Sequence, residues 1–433
     1  MRLELSGGRI AKITTDAQPL AGDEIGAIGL PGLANVHSHG FQRGLAGMAE
    51  FRGGTDSFWT WRDAMYRFVT TISPEDVEAI TALAFAEMLE GGFTHVGEFH
   101  YLHNDPGGRR YDNRAEMAER VAAAASVSGI GLTLLPVFYE RGGFDGRAPN
   151  PAQRRFCWDI EGFQRLFDDC GNIVRDLDGA ILGVAPHSLR AVSPDSLTAL
   201  APLMKDRPVH IHVAEQRQEV ADCEQTLKAR PVQWLLDNLA IDSRWCFIHA
   251  THANGAEIAR LAASEAVGGL CPISEANLGD GFFALPEFLA GDGRFAIGSD
   301  ANLRLSVIEE LRMLEYGQRL IKEARNVAAG RQSQSTGRTL FEMALHGGAQ
   351  ALGTSRGLAE GEWANIVALD GRSEILVGRR DDTLLDSLIF AGSNALIRTV
   401  WRGGRMLVRH GRHIHKEEIV SRYLKSIARL ISP

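Results

Sequence analysis

Eight short apolar runs, separated by stretches rich in Ala, Leu and Glu, constrain this chain more than any other feature. They lie at 31–37, 93–101, 131–139, 181–187, 208–214, 245–250, 266–272 and 294–299. Stretches beside them, such as 74–91, 113–128 and 160–176, have the composition of helices. Strands that alternate with helices pair in parallel and are buried on both faces. The alternation over 31–354 therefore predicts an α/β fold, a (β/α)8 TIM-type barrel with insertions. An open doubly wound sheet is the alternative. It is disfavoured because no Gly-x-Gly-x-x-Gly follows the first run. Residues 1–30 and 355–433 carry short β-prone runs among glycines and turn residues, with strands expected at 365–369, 387–390 and 399–401. Neither end has the apolar sequence for a core of its own, so the two are expected to form one small β-domain together.

Composition removes several functions. The 433 residues carry a net charge of −8 and no Lys/Arg block, which argues against nucleic acid and anionic membrane as partners. A small anionic substrate would need a local basic pocket. Five scattered cysteines without a Cys-x-x-Cys predict no disulfide framework and a reducing cytoplasm. The first residues lack the long apolar core of a signal peptide, and no run of 18 uncharged apolar residues suits a membrane span.

A barrel gathers the ends of its strands around one mouth. Several of the eight runs end on a histidine or a carboxylate. His37-Ser38-His39 closes the first; residues two apart on a strand share a face, so both imidazoles can reach one metal, with Zn²⁺ or Fe²⁺ favoured. The fifth run contains His210 and His212, again on one face; one can ligate while the other packs or orients a neighbour. Glu215 follows just past it, where it can move protons without ligating. His249 ends the sixth run, and Asp300 follows the eighth. Taken singly, each has a plain structural explanation: a histidine after an apolar strand is more often a satisfied core residue, and a glutamate at a loop start is usually solvated. Their coincidence at the ends of the first, fifth, sixth and eighth runs is what points to a metal centre. Two histidines from the first run, one from the fifth and Asp300 leave a position open for water, as in catalytic sites. The fourth run, which ends on His187, carries no lysine to become an anionic bridge between two ions, so a single ion is expected.

This order of His-x-His, His-x-x-Glu, His and Asp resembles the amidohydrolase superfamily, in its mononuclear deaminase branch. The lead-in at 31–35 and the segment at 357–361 fit too, and the flanking β-pieces resemble that group's β-sandwich domain. The resemblance covers nearly the whole chain. It implies that His37, His39, His212 and Asp300 hold one Zn²⁺ per subunit, with Glu215, His249 and Asp300 carrying the chemistry. Longer stretches at 41–47, 185–192, 272–281 and 309–316 are similar to the branch that converts N-formimino-L-glutamate and water to N-formyl-L-glutamate and ammonia in histidine degradation. A dicarboxylate of that kind calls for guanidinium groups. Arg190, beyond His187, is the leading candidate, with Arg62, Gln42, Tyr101 and His187 as further substrate-binding residues. Trp59 and Trp61 fall in an insertion at 48–72, read as packing ahead of a lid or dimer contact. A homodimer is expected. The competing enzyme is a deaminase of a nucleobase or other cyclic amidine, which would use aromatic stacking and amide readers. A scaffold that has lost catalysis would have lost ligands, and here every expected ligand is present.

Overall fold

The computed structural model describes residues 1–50, 57–330 and 333–431; residues 51–56 of the 48–72 insertion lie outside the described residues. All eight expected strands are present. They are β1 (Leu33–Ser38), β2 (Phe93–His100), β3 (Gly131–Phe138), β4, β5 (Val209–Val213), β6 (Trp245–His249), β7 (Val267–Leu270) and β8 (Arg294–Ile297). β4 is two pieces, Ile181–Leu182 and Ala185–Pro186, where one continuous run was expected. The interruption includes Gly183, where an added Cβ would lie 2.5 Å from Leu135 and 2.8 Å from the Pro208 carbonyl. The chain there runs too close to its neighbours for regular pleating with side chains.

The strands pair in parallel as two arcs, β1 to β4 and β5 to β8. Single bridges join the arcs at both seams. Ser38 meets Asp300 at one; Val184 meets Val209 and Ser188 meets His212 at the other. Every residue of β2 and β3 is buried, as parallel strands covered on both faces must be. Helices cross between strands and carry clear start signals. Pro74–Glu90 begins with Ser73 as N-cap, proline in the first turn and a reciprocal Asp76 capping box. Gly255–Ala263 uses Asn254 and Glu257 in the same way.

Helix Thr336–Leu352 packs against β1 and β8 and ends against barrel side chains. The Thr133 hydroxyl donates to the Leu352 carbonyl at 3.0 Å, and His210 Nε2 bonds the Ala351 carbonyl at 2.9 Å. A five-stranded antiparallel sheet takes Ile28–Pro31 from the N-terminal end and pairs it with Ile366–Leu369, followed by Ile397–Arg402, Arg405–Arg409 and Arg412–His413. The hairpin of Arg2–Ser6 and Arg9–Thr14 touches this region through the Arg9–Trp363 bridge.

One strand expectation fails. Residues 387–390 belong to helix Asp381–Ala391. Asp381 and Asp382 favour a helix start, and Leu385, Leu388 and Ile389 bury one helical stripe. The C-terminal end is also less β-rich than expected, because Lys416–Ile431 is a helix. It lies along Pro74–Glu90, with Lys416 paired to Glu90 at 2.7 Å, Arg422 to Glu78 and Arg429 to Asp76. Among the described residues no helix is long and apolar enough to cross a membrane.

Close approach sets the seat of the 336–352 helix. A Cβ on Gly347 would lie 2.0 Å from the Phe295 carbonyl oxygen of β8. Gly347→Ala should therefore cost about 2 kcal/mol, read as a lower urea midpoint at unchanged slope. An unchanged midpoint would mean that the helix can shift freely on the barrel.

Candidate active site

The C-terminal ends of β1, β5, β6 and β8 bring four imidazoles and a carboxylate to one point. β1 supplies His37 and, just past its end, His39; β5 supplies His212; β6 ends on His249; Asp300 follows β8. Asp300 Oδ1 lies 3.3 Å from Nε2 of both His37 and His39. His212 Nε2 lies 3.1 Å from His37 Nε2. All five side chains are buried. Asp300 and His249 hold φ at +46° and +68°, a region that residues with a Cβ seldom occupy and that concentrates at functional turns.

The hydrogen bonds behind the rings set their tautomers. His39 Nδ1 is 3.0 Å from the Phe99 carbonyl, and His212 Nδ1 is 3.0 Å from the His187 carbonyl. A carbonyl only accepts, so Nδ1 carries the proton and Nε2 of the neutral ring offers a lone pair. Burial lowers His37 to about 3 and holds His212 well below the usual imidazole value, which keeps both rings neutral. The His212 lone pair thus faces another imidazole nitrogen, and a carboxylate oxygen lies 3.3 Å from His39 Nε2. Acceptors this crowded repel one another unless a cation lies among them. Imidazole nitrogens with one carboxylate suit a divalent transition metal, and carbonyls behind the rings are the support such ligands use.

His249 has a different environment. Its Nδ1 lies 3.1 Å from Glu275 Oε1 and its Nε2 3.8 Å from Glu215 Oε1. Burial alone would lower its pKa; the charges of Glu215, Glu275 and Asp300 outweigh burial and raise it to about 10. Its ligand atom also falls within 4.8 Å of those of His37, His212 and Asp300. Glu215, only 6% exposed, is no solvated loop glutamate. Burial raises its carboxyl to about 7 against the pull of His249.

The same centre opens into a cavity lined by Gln42, Arg62, Tyr101, His187 and Arg190. All the residues expected to bind substrate therefore face one space. Gln42 Nε2 donates to the Tyr101 hydroxyl at 2.8 Å. His187 Nδ1 lies 3.0 Å from the Ser188 hydroxyl, with its ring edge-on to Tyr139 at 4.7 Å. Arg62 projects from helix Phe58–Val69, with its guanidinium 4.4 Å from the Trp59 ring and 5.4 Å from that of Tyr66. Arg62 Nε and Arg190 Nη1 are buried and have no hydrogen-bond partner among the described residues. Trp61 also lines the cavity, beyond the packing role expected of it. His210 does not join the centre; its bond to the Ala351 carbonyl settles which histidine of the pair packs.

Several contributors were not anticipated. Glu275 anchors His249 from helix Pro272–Leu278, which follows β7. Glu98 accepts the Gly40 N–H at 2.6 Å beside His39, and burial raises it to about 7. Tyr66 and Tyr139 line the cavity; nothing in their local sequence marks them.

The model of the amidohydrolase family matches residues 28–407, and the chain belongs to that family of metal-dependent hydrolases. It is 47% identical over 435 aligned positions to formimidoylglutamate deiminase of Pseudomonas aeruginosa, spanning 100% of this chain and 96% of that protein. A crystal structure of an amidohydrolase from Brucella melitensis is 49% identical and superposes with a TM-score of 0.95, covering 99% and 96% of the two chains. A 5-methylthioadenosine/S-adenosylhomocysteine deaminase of Natronomonas pharaonis is 27% identical over 89% of this chain and 82% of its own.

In metal-free protein the Glu215 carboxyl should titrate at about 7. The measurement is an infrared carboxyl band that is lost on raising the pH through that value and is missing in Glu215→Gln. A Glu215-dependent band that titrates near 4.5 would show the carboxyl to be solvated.

Proposed function

We propose that this chain hydrolyses N-formimino-L-glutamate to N-formyl-L-glutamate and ammonia, the deimination step of histidine degradation. One observation carries the reading. Two guanidinium groups, Arg190 and Arg62, face the cavity beside the His/Asp cluster, each with a buried N–H that no group among the described residues satisfies. Like charges held together in this way call for an anion, and two carboxylates on one substrate meet that need. A purine offers neither. The full-length similarity to a formimidoylglutamate deiminase supports the same choice. Residues 31–354 form the catalytic barrel in this reading, and 1–30 with 355–433 form the small accessory domain. Five unpaired thiols suit a reducing cytoplasm.

His37, His39, His212 and Asp300 would hold one Zn²⁺, with Fe²⁺ suited to the same donors. When bound, the ion acts as a Lewis acid and lowers the pKa of a water towards ~7. Asp300 takes the first proton of the attacking water. Glu215 takes the next from the hydroxyl on the tetrahedral carbon and delivers it to the leaving nitrogen, a transfer suited to a carboxyl poised at about 7. The C–N bond then breaks, and the departing ammonia takes the proton held on Asp300 to become ammonium. His249 stays protonated between Glu215 and Glu275, so it donates to the developing oxygen charge and does not ligate. Arg190, Arg62, Gln42, Tyr101 and His187 hold the glutamate portion.

Glu215→Gln should keep its metal, measured by elemental analysis, while kcat falls by roughly 10²–10⁴; His212→Asn should lose the metal. Near-normal turnover in Glu215→Gln would remove the proton transfer from this residue. Arg190→Met should raise KM for formiminoglutamate by roughly 10–100-fold. Ammonia release assayed across formiminoglutamate, guanine, cytosine and adenosine tests the substrate class: release from a nucleobase and none from formiminoglutamate would overturn it.

A further inference from the structure

We propose that Arg155 is a positioning residue for substrate recognition, clamping the helix that carries Arg62 to the loop that carries Tyr101. The role in recognition rests on the reading of Arg62 as a carboxylate-binding group. Arg155 is completely buried, and no carboxylate forms an ion pair with it among the described residues. Burial lowers its pKa, the mark of a charge held away from water at a cost. A guanidinium kept under those conditions needs a structural reason, and its partners supply one.

The Tyr111 hydroxyl bonds the guanidinium as well, but Nε and Nη1 reach main-chain carbonyls of two separate segments. Nε donates to the Asn104 carbonyl at 3.0 Å. Nη1 donates to the Ile72 carbonyl at 3.1 Å and also to the Val69 carbonyl. Val69 is the last residue of helix Phe58–Val69, and carbonyls at a helix end lack partners within the helix. A cation there also meets the negative end of the helix dipole. The main chain of Arg155 completes the clamp: its carbonyl accepts the N–H groups of His103 at 3.0 Å and Asn104 at 2.8 Å. One residue thus ties the end of the 58–69 helix to the segment just after Tyr101. Arg62 lies two turns up that helix, about 10 Å away, so a small tilt at Val69 displaces its guanidinium.

The neighbours of Arg155 act on the same two walls. Gln153 Nε2 donates to the Tyr139 hydroxyl at 2.8 Å and the Tyr66 hydroxyl at 3.3 Å. Phe156 packs against Tyr101 with ring centroids 4.8 Å apart. Arg155 itself does not line the cavity. Its fork spans carbonyls from both segments; the single ammonium of lysine cannot reach them together.

The test uses metal-loaded full-length protein and the variants Arg155→Lys and Arg155→Met; if the methionine variant does not fold, the lysine variant still decides. Kinetics are measured with formiminoglutamate and with N-methylformamidine, an amidine without carboxylates. Arg155→Lys should raise KM for formiminoglutamate roughly tenfold with kcat nearly kept, the pattern of lost uniform binding, and leave kcat/KM for N-methylformamidine unchanged. In an Arg62→Met background it should add no further rise. An equal loss on both substrates, or an additive rise in the double variant, overturns the recognition role. Amide hydrogen exchange tests the clamp independently of the substrate. Exchange in 58–69 should quicken in Arg155→Lys while 245–249 stays protected, and unchanged exchange overturns the clamp. Wild-type protein that shows no preference for formiminoglutamate would instead count against the proposed function, with the exchange result still deciding the clamp.

Discussion

The rest of the site depends on the seam between β1 and β8, where Asp300 serves both backbone and side chain. The N–H groups of Ser299 and Asp300 donate to the His37 carbonyl, and the His39 N–H donates to the Asp300 carbonyl. Those bonds join the two arcs of strands at the position where the Asp300 side chain meets His37 and His39. The bonds that join the two arcs therefore also bring His37, His39 and Asp300 together. The positive φ of Asp300 follows from this: the chain must turn sharply to keep the backbone bonded while the carboxylate points inward. Asn302 supports the turn, its side chain donating to the His39 carbonyl at 2.9 Å and the Ser38 hydroxyl at 3.1 Å.

Burial then gives chemically similar groups different protonation. Asp300 and Glu215 are both carboxylates in the same low-dielectric space. Burial would raise either; the His37 and His39 rings, each 3.3 Å from its carboxylate, outweigh burial and hold Asp300 well below the carboxylate range, whereas Glu215 keeps most of its shift. The imidazoles divide in the same way. His37 sits among other rings and stays neutral, while His249 sits between two glutamates and holds its proton. Protonation in this centre is set by neighbours and not by residue type.

The framework and the centre of the site were legible in the sequence because both follow from period and strand position. The eight apolar runs became the eight strands, and the residues at their ends converged because a parallel barrel points every C-terminal end the same way. What was hidden depends on tertiary packing. Residues 387–390 read as a strand because four residues cannot distinguish the two periods; the helix shows only when Asp381, Asp382 and Leu385 are included. Nothing in the local sequence separates His210 from His212; only the Ala351 carbonyl does. Arg155 lies in a polar stretch that reads as solvated loop, and its burial appears only when the ends of two distant segments meet around it.

The five-stranded sheet has a consequence for the order in which the protein can be made. Ile28–Pro31 must wait for Ile366–Leu369, hundreds of residues later, before it has a partner. The strands of the barrel are all complete by Ile297, and the seam residue Asp300 follows at once. On the ribosome the ring can close while Ile28–Pro31 still lacks a sheet to join. That strand spends the interval unpaired, a state open to mispairing with another chain. Translation speed between Asp300 and Leu369 thus sets how long Ile28–Pro31 goes without its partner strand.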